Sequence, residues 1–224
     1  MKRRTRIALY GGTFDPIHRG HLEVAERVSD LFEISRVLFV PAKRPPHKVT
    51  RAVSGPIDRY AMLALATQEE SRFSISQHEL AATGVGYTVD TLTHFQNEFG
   101  PSADLFFLMG ADSWFEIKTW REWQRVLELT NHVVVTRPGY AIESGELPPA
   151  LRERLIDLRG VAPAIISARV NAEGGNRIFV TDAVQMDIAA TQIREVARTD
   201  AARLVDLVPA AVASYIEKYR LYRD

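Results

Sequence analysis

Two histidines, His18 and His21, stand three residues apart in the segment Gly11-Gly12-Thr13-Phe14-Asp15-Pro16-Ile17-His18-Arg19-Gly20-His21, which follows directly on the apolar run Ile7–Tyr10. A glycine pair after a strand lets the backbone turn sharply and approach a ligand closely. A helix beginning near His18 or Arg19 would aim its unpaired N–H groups and the positive end of its dipole at that loop, which makes an anion site, for phosphate above all. Residues three apart share one face of a helical turn, so His18 and His21 can donate to the same phosphate, and Gly20 between them keeps the surface low. Two other chemistries compete. A histidine pair at this spacing can bind zinc, but no third ligand is evident nearby, because Asp15 sits in a turn before Pro16; no metal ligand is therefore assigned. Each histidine taken alone would also suit a packed structural role. The combination of strand, glycine pair and helix start favours phosphate. The spacing is not G-x-G-x-x-G, which disfavours a nicotinamide-dependent dehydrogenase.

Further candidates lie at other strand ends. Lys43-Arg44-Pro45-Pro46-His47-Lys48 concentrates positive charge after the run Val37–Val40, although basic loops are commonly just solvated. Gly110-Ala111-Asp112 follows Leu105–Leu108; Asp112 can contact a ligand, cap the short helix at Ser113–Phe115, or do both. The stretch Thr191–Arg198 reads as a helix start with Arg194 one turn in, and a helix N-terminus with a guanidinium suits a phosphate clamp. A surface arginine on an ordinary helix is the alternative.

The elements that must position these groups are legible as an alternation. Short apolar runs at Ile7–Tyr10, Val37–Val40, Leu105–Leu108 and Val133–Val135 fit strands buried on both faces of a parallel sheet. Helical spacing appears in Leu22, Ala25, Val28 and Phe32, and over Ile57–Ala66, Val89–Phe99 and Trp120–Leu129. Strand–helix–strand alternation predicts an α/β fold with right-handed crossovers, in which ligands bind beyond the carboxyl ends of the strands. The stretch from Pro138 to Asn176 is punctuated by Gly and Pro, with one helix expected at Ala150–Leu158, and Arg177–Thr181 reads as a short strand. Val212, Tyr215, Ile216 and Tyr219 mark a closing amphipathic helix, with Pro209 in its first turn.

Composition narrows the chemistry. With 28 Lys+Arg against 28 Asp+Glu in 224 residues, the chain lacks the basic excess of a polyanion or anionic-membrane binder. Cysteine is absent, which removes disulfides, thiolate metal sites, iron–sulfur clusters and cysteine nucleophiles. At 46% hydrophobic and 25% charged residues the composition is globular. No apolar stretch approaches the ~18 residues of a membrane span, and the run after Met1–Arg6 is too short for a signal peptide. A cytoplasmic protein is expected.

The segment from Gly11 to His21 resembles the signature of the nucleotidyltransferase α/β-phosphodiesterase superfamily, whose core is His-x-Gly-His. Within it the chain resembles the bacterial nicotinate-nucleotide adenylyltransferase family. The likeness continues at Pro45-Pro46-His47-Lys48, at Gly86-Tyr87-Thr88-Val89-Asp90-Thr91-Leu92, and at Met109-Gly110-Ala111-Asp112-Ser113. It also covers Thr119-Trp120 and Thr136-Arg137-Pro138-Gly139-Tyr140. Ile188-Ala189-Ala190-Thr191-Gln192-Ile193-Arg194 is similar to the family's Ile-Ser-x-Thr-x-x-Arg, with Ala189 in place of the serine. A hydroxyl that could hold phosphate or cap the next helix is missing there; Asp187 could cap instead, at the cost of negative charge near a triphosphate. The match spans nearly the whole chain and is weakest over 141–176.

The resemblance implies an open, Rossmann-like parallel sheet flanked by helices. It also implies one nucleotidyltransferase domain over 1–224, with 141–176 an irregular peripheral subregion and 188–224 a small C-terminal helical part. The implied reaction is attack by the phosphate of nicotinate mononucleotide on the α-phosphorus of ATP. A phosphate monoester is mostly ionised at neutral pH, since its second pKa is about 6, so positioning and charge stabilisation are what the protein must supply. His18, His21 and Arg194 are the implied catalytic groups. ATP would meet Gly11, Gly12, Thr13, Phe14, His18, His21, Gly110, Asp112, Ile188, Thr191 and Arg194. The acceptor would meet Lys48, Tyr87, Thr88, Trp120 and Arg137, with Lys43, Arg44 and His47 as secondary candidates. Mg²⁺ is expected with ATP, held mainly by phosphate oxygens. Small molecules are the implied partners, neither nucleic acid nor membrane, and assembly into a homo-oligomer is left open. Rival readings are transfer to pantetheine phosphate or nicotinamide mononucleotide, and a non-catalytic nucleotide sensor. Intact His18, His21, Thr191 and Arg194 argue against the sensor; Ala189 alone speaks for it.

Overall fold

A computed structural model describes residues 4–43, 53–82, 84, 86–136, 147–184 and 188–223. The four apolar runs extend into β1 (Thr5–Gly12), β2 (Arg36–Pro41), β4 (Ala103–Gly110) and β5 (Asn131–Val135). With β3 (Phe73–Ile75), β6 (Leu155–Asp157) and β7 (Ile178–Thr181), they form a seven-stranded sheet of order β3-β2-β1-β4-β5-β7-β6. Every pairing is parallel, as the continuous apolar runs predicted.

Alternate residues of β1, β2, β4, β5 and β7 feed two cores. Ala8 and Tyr10 of β1 join the core under α1 (Arg19–Phe32), α2 (Pro56–Thr67), α8 (Pro163–Ala172), α9 (Ala190–Thr199), α10 (Leu204–Leu207) and α11 (Ala210–Lys218). Ile7 and Leu9 join the opposite core, built with α4 (Thr88–Phe99), α5 (Ala111–Phe115), α6 (Trp123–Leu129) and α7 (Pro149–Arg152). A single-turn helix, α3 (His78–Ala81), follows β3. No helix among the described residues is long and apolar enough to cross a membrane.

Three expectations change. The helix foreseen at Ala150–Leu158 is only the single turn α7, after which the chain becomes the edge strand β6. Sheet hydrogen bonding overrides helical spacing there: the Ile178 amide donates to the Arg154 carbonyl at 2.9 Å and the Leu158 amide to the Val180 carbonyl at 2.8 Å. The Arg154 guanidinium also donates to the Asn176 carbonyl at 2.8 Å, tying the strand's start to the approach of β7. Second, the punctuated stretch carries α8, with Pro163 at its first position and Ile166 and Val170 turned into the core. Third, the helix expected from Trp120 starts at Trp123, so Trp120 follows a 3-10 turn (Ile117–Thr119) in extended backbone.

A candidate active site at the carboxyl edge of the sheet

Strand order reverses between β1 and its neighbours β2 and β4, and the crevice beyond such a switch point is where open α/β sheets bind ligands. There a cleft of about 490 Å³ is lined by the ends of β1, β4 and β5 and the starts of α1, α5 and α9. Gly11, Gly12, Thr13, Phe14, His18, His21, Gly110, Asp112, Ile188, Thr191 and Arg194 all line it. Thus every residue assigned to ATP from the sequence meets in one place, from three segments far apart in the chain.

The glycine pair answers to two aromatic rings. A Cβ on Gly11 would lie 3.2 Å from the Phe107 ring, and one on Gly12 would lie 2.8 Å from the Phe14 ring. Phe14 itself is buried with φ 50°, a left-handed backbone that a side chain resists. Its ring packs edge-on to His21, with centroids 5.1 Å apart.

His18 is the residue that opens α1, in extended backbone, and is buried. Its ring lies 3.6 Å from that of His21, centroid to centroid, tilted by 30°. The His18 amide donates to His21 Nδ1 at 3.3 Å. An accepting Nδ1 leaves a neutral ring protonated on Nε2, a donor for an anion in the cleft. Gly20 does what its small size suggested: a Cβ there would come within 3.2 Å of the His18 ring and 3.8 Å of Ile188. The starts of α1 and α9 can therefore close on the same space. His132 shows the contrasting, structural kind of histidine. It is fully buried in β5, its Nδ1 lies 3.1 Å from the Thr130 carbonyl, and burial pushes its pKa down to about 3, so it is neutral.

Ala189 occupies the cap position of α9 and has no side chain that could bond the helix's free amides. The missing hydroxyl is thus foremost a missing cap. Ala189→Ser should stabilise the nucleotide-free protein by about 1 kcal/mol, raising Tm by about 2–4 °C for a chain of this size. Scanning calorimetry checks it; an unchanged Tm would mean the helix start is already satisfied. Asp187, the other cap candidate, lies outside the described residues. Arg194 reaches across from α9, and its Nη1 donates to the Asp15 carbonyl at 2.6 Å.

The acceptor residues form a separate group. Tyr87 opens α4, directly before Thr88, and its ring carries the Arg121 guanidinium at 4.8 Å from the centroid. Trp120, half-buried, packs edge-on to Phe107 at 6.4 Å, and its buried indole N–H has no hydrogen-bond partner among the described residues. None of Tyr87, Thr88 or Trp120 lines the cleft. Phe107 links the two groups, its ring lying beside Gly11 and edge-on to Trp120. Lys48 and Arg137, with Arg44 and His47, lie outside the described residues; Lys43 is half-buried where β2 ends.

Sequence reasoning missed the braces behind the loop. The buried Asp15 carboxylate accepts from Tyr222 Oη at 2.8 Å and from the Ser54 amide at 3.3 Å. Burial, then the charge of Asp15, raises the Tyr222 pKa, keeping that phenol a donor. Arg59, 1% exposed, bonds the Thr13 carbonyl at 2.9 Å. Burial pulls its pKa down, and the Asp15 carboxylate opposes that shift. Arg121 is a further residue that no motif singled out.

Residues 9–196 match the family described as Cytidylyltransferase-like. A Corynebacterium glutamicum protein named probable nicotinate-nucleotide adenylyltransferase is 38% identical over 224 residues, all of this chain and 91% of its own length. A Corynebacterium kroppenstedtii protein of the same name is 40% identical over 97% of this chain and 90% of its own. Among solved structures, the Plasmodium falciparum nicotinic acid mononucleotide adenylyltransferase complexed with NaAD superposes with a TM-score of 0.71 over 97% of both chains, at 18% identity.

Proposed function

The chain belongs to the Cytidylyltransferase-like family, among its nicotinate-nucleotide adenylyltransferases, and from that premise we propose how its residues divide the work of adenylyl transfer. The reaction moves the adenylyl group of ATP to nicotinate mononucleotide, giving deamido-NAD and pyrophosphate in NAD biosynthesis. The observation that carries the assignment of roles is the meeting of the glycine loop, the His18–His21 pair, Gly110–Asp112 and Ile188–Arg194 in one cleft.

ATP lies along that cleft. The backbone of Gly11–Phe14 and the start of α1 face its phosphates, with His18 and His21 donating at the α-phosphate, where charge builds in the transition state. Gly110 offers open space for the adenosine, since nothing lies within 4 Å of where its Cβ would be, and exposed Asp112 meets the ribose hydroxyls. Ile188 packs beneath the nucleotide. Thr191 and Arg194, at the start of α9, take the β- and γ-phosphates and stay with them as pyrophosphate leaves.

The acceptor sits on the other side of Phe107, against Tyr87, Thr88 and Trp120. Amides at the start of α4 receive the nicotinate carboxylate, while Lys48 and Arg137 receive the mononucleotide phosphate. An ionised phosphate oxygen then bonds to the α-phosphorus as the bond to the β-phosphate bridging oxygen breaks in line. The protein contributes no nucleophile and needs no general base.

Mg²⁺ arrives with ATP. Phosphate oxygens would supply most of its ligands, with the carboxylates of Asp112 and Glu116, which line the cleft, beside it. When bound, the ion neutralises charge on the triphosphate. The cytoplasm, where ATP is available, is the proposed compartment.

Pyrophosphate release with ATP and a panel of acceptors tests the reading: nicotinate mononucleotide, its amide, phosphopantetheine and glycerol phosphate. The acid mononucleotide should have the highest kcat/KM. The amide should fall ~10-fold or more below it, the size of one lost charge-assisted hydrogen bond, because an amide NH₂ would face amide donors. Equal kcat/KM for acid and amide would reject the helix-start carboxylate site. Turnover of phosphopantetheine alone would reject the acceptor.

A further inference from the structure

We propose that Arg59 is a positioning residue for adenylyl transfer, one guanidinium that ties the glycine loop to the chain leaving β2 and the chain entering α2. The inference rests on the reading above that this loop holds the phosphates of ATP.

Arg59 lies in the first turn of α2 and turns its fork on three main-chain carbonyls. Nη1 donates to the Thr13 carbonyl at 2.9 Å, 46 residues away. Nη2 donates to the Lys43 carbonyl at 3.1 Å, 16 residues away, where the chain leaves β2. Nε donates to the Ser54 carbonyl at 3.1 Å, 5 residues away, where the chain enters α2. A planar guanidinium can serve three acceptors in fixed directions at once, whereas an ammonium presents its donors from one atom.

What it holds is a loop under strain. Thr13 precedes Phe14, whose φ of 50° is costly for a side-chain-bearing residue and persists only when neighbours over-determine it. Asp15, on the far side of Phe14, is braced by Tyr222, Ser54 and Arg194. Thr13 has Arg59. Filling the core would not call for an arginine, since an apolar side chain of similar volume avoids the desolvation of a buried charge. The guanidinium stands where the loop needs an anchor.

Arg59→Lys and Arg59→Met should each be compared with wild type, per folded molecule by circular dichroism and well below each Tm. The expected result is a fall in kcat of ~10- to 100-fold, the cost of about an ångström of misplacement at the reacting centre. Calorimetric affinity for a non-hydrolysable ATP analogue should weaken, KM for nicotinate mononucleotide should hold, and lysine should recover part of the loss. A purely structural arginine would move Tm and none of these. Folded variants with wild-type kcat and analogue affinity would overturn the proposal, and so would failure of both variants to fold. If wild type releases no pyrophosphate with nicotinate mononucleotide, the functional reading fails instead. The ATP-analogue affinities then still decide the role of Arg59, unchanged affinity in both folded variants overturning it.

Discussion

Replacing Arg194 by alanine should lower kcat by ~10³, within the range by which a transition-state arginine accelerates phosphoryl transfer. In the nucleotide-free protein its Nη1 is held by the Asp15 carbonyl, a neutral acceptor. When the α–β bond breaks, charge accumulates on the leaving pyrophosphate, and a guanidinium already oriented over the cleft needs no reorganisation to meet it. Removing it takes away a group that gains most after the ground state, so kcat should fall further than KM for ATP rises. Arg194→Lys should recover only part, because a point charge on a flexible stem replaces a fixed fork. Single-turnover measurement of deamido-NAD formation checks this directly, and a wild-type chemical step in the alanine variant would sink the role.

His18→Ala should lower kcat by ~10²–10³, the loss seen when one preorganised donor to a developing oxyanion is removed. The ring is buried against that of His21, and Gly20 leaves it room. The fold should survive the change, because α1 is anchored by Ala25, Val28 and Phe32 in the core. His18→Asn offers a check: an amide donor in that region should return some activity. Wild-type kcat in His18→Ala would remove the histidine from the mechanism.

The parts of this site that were readable from the chain are those whose logic is local. A strand, two glycines and a pair of histidines at the next helix start lie within a short stretch, and each imposes a geometry on its neighbours. Arg194 and Gly110 were readable because each follows a strand or opens a helix at the same sheet edge. Arg59 and Tyr222 carried no such mark. Their partners are main-chain carbonyls and a carboxylate brought near only by the folded sheet. Trp120 was misjudged for a related reason: its helical spacing toward Leu129 is real, but the helix begins three residues later, at Trp123. The short edge strands β3 and β6 were missed because three residues give no period, and their identity comes from the neighbouring strand.

The hydrogen bond from Tyr222 to Asp15 joins residues 207 positions apart. Seen along the order of synthesis, Asp15 of the glycine loop leaves the ribosome 207 residues ahead of the phenol that braces it. A chain stopped between residues 194 and 222 contains the whole glycine loop, both histidines and the arginine, yet lacks the phenol that holds Asp15. The glycine loop therefore stays without this brace until Tyr222 has been made, and a chain that folds its sheet without Tyr222 should carry a looser loop.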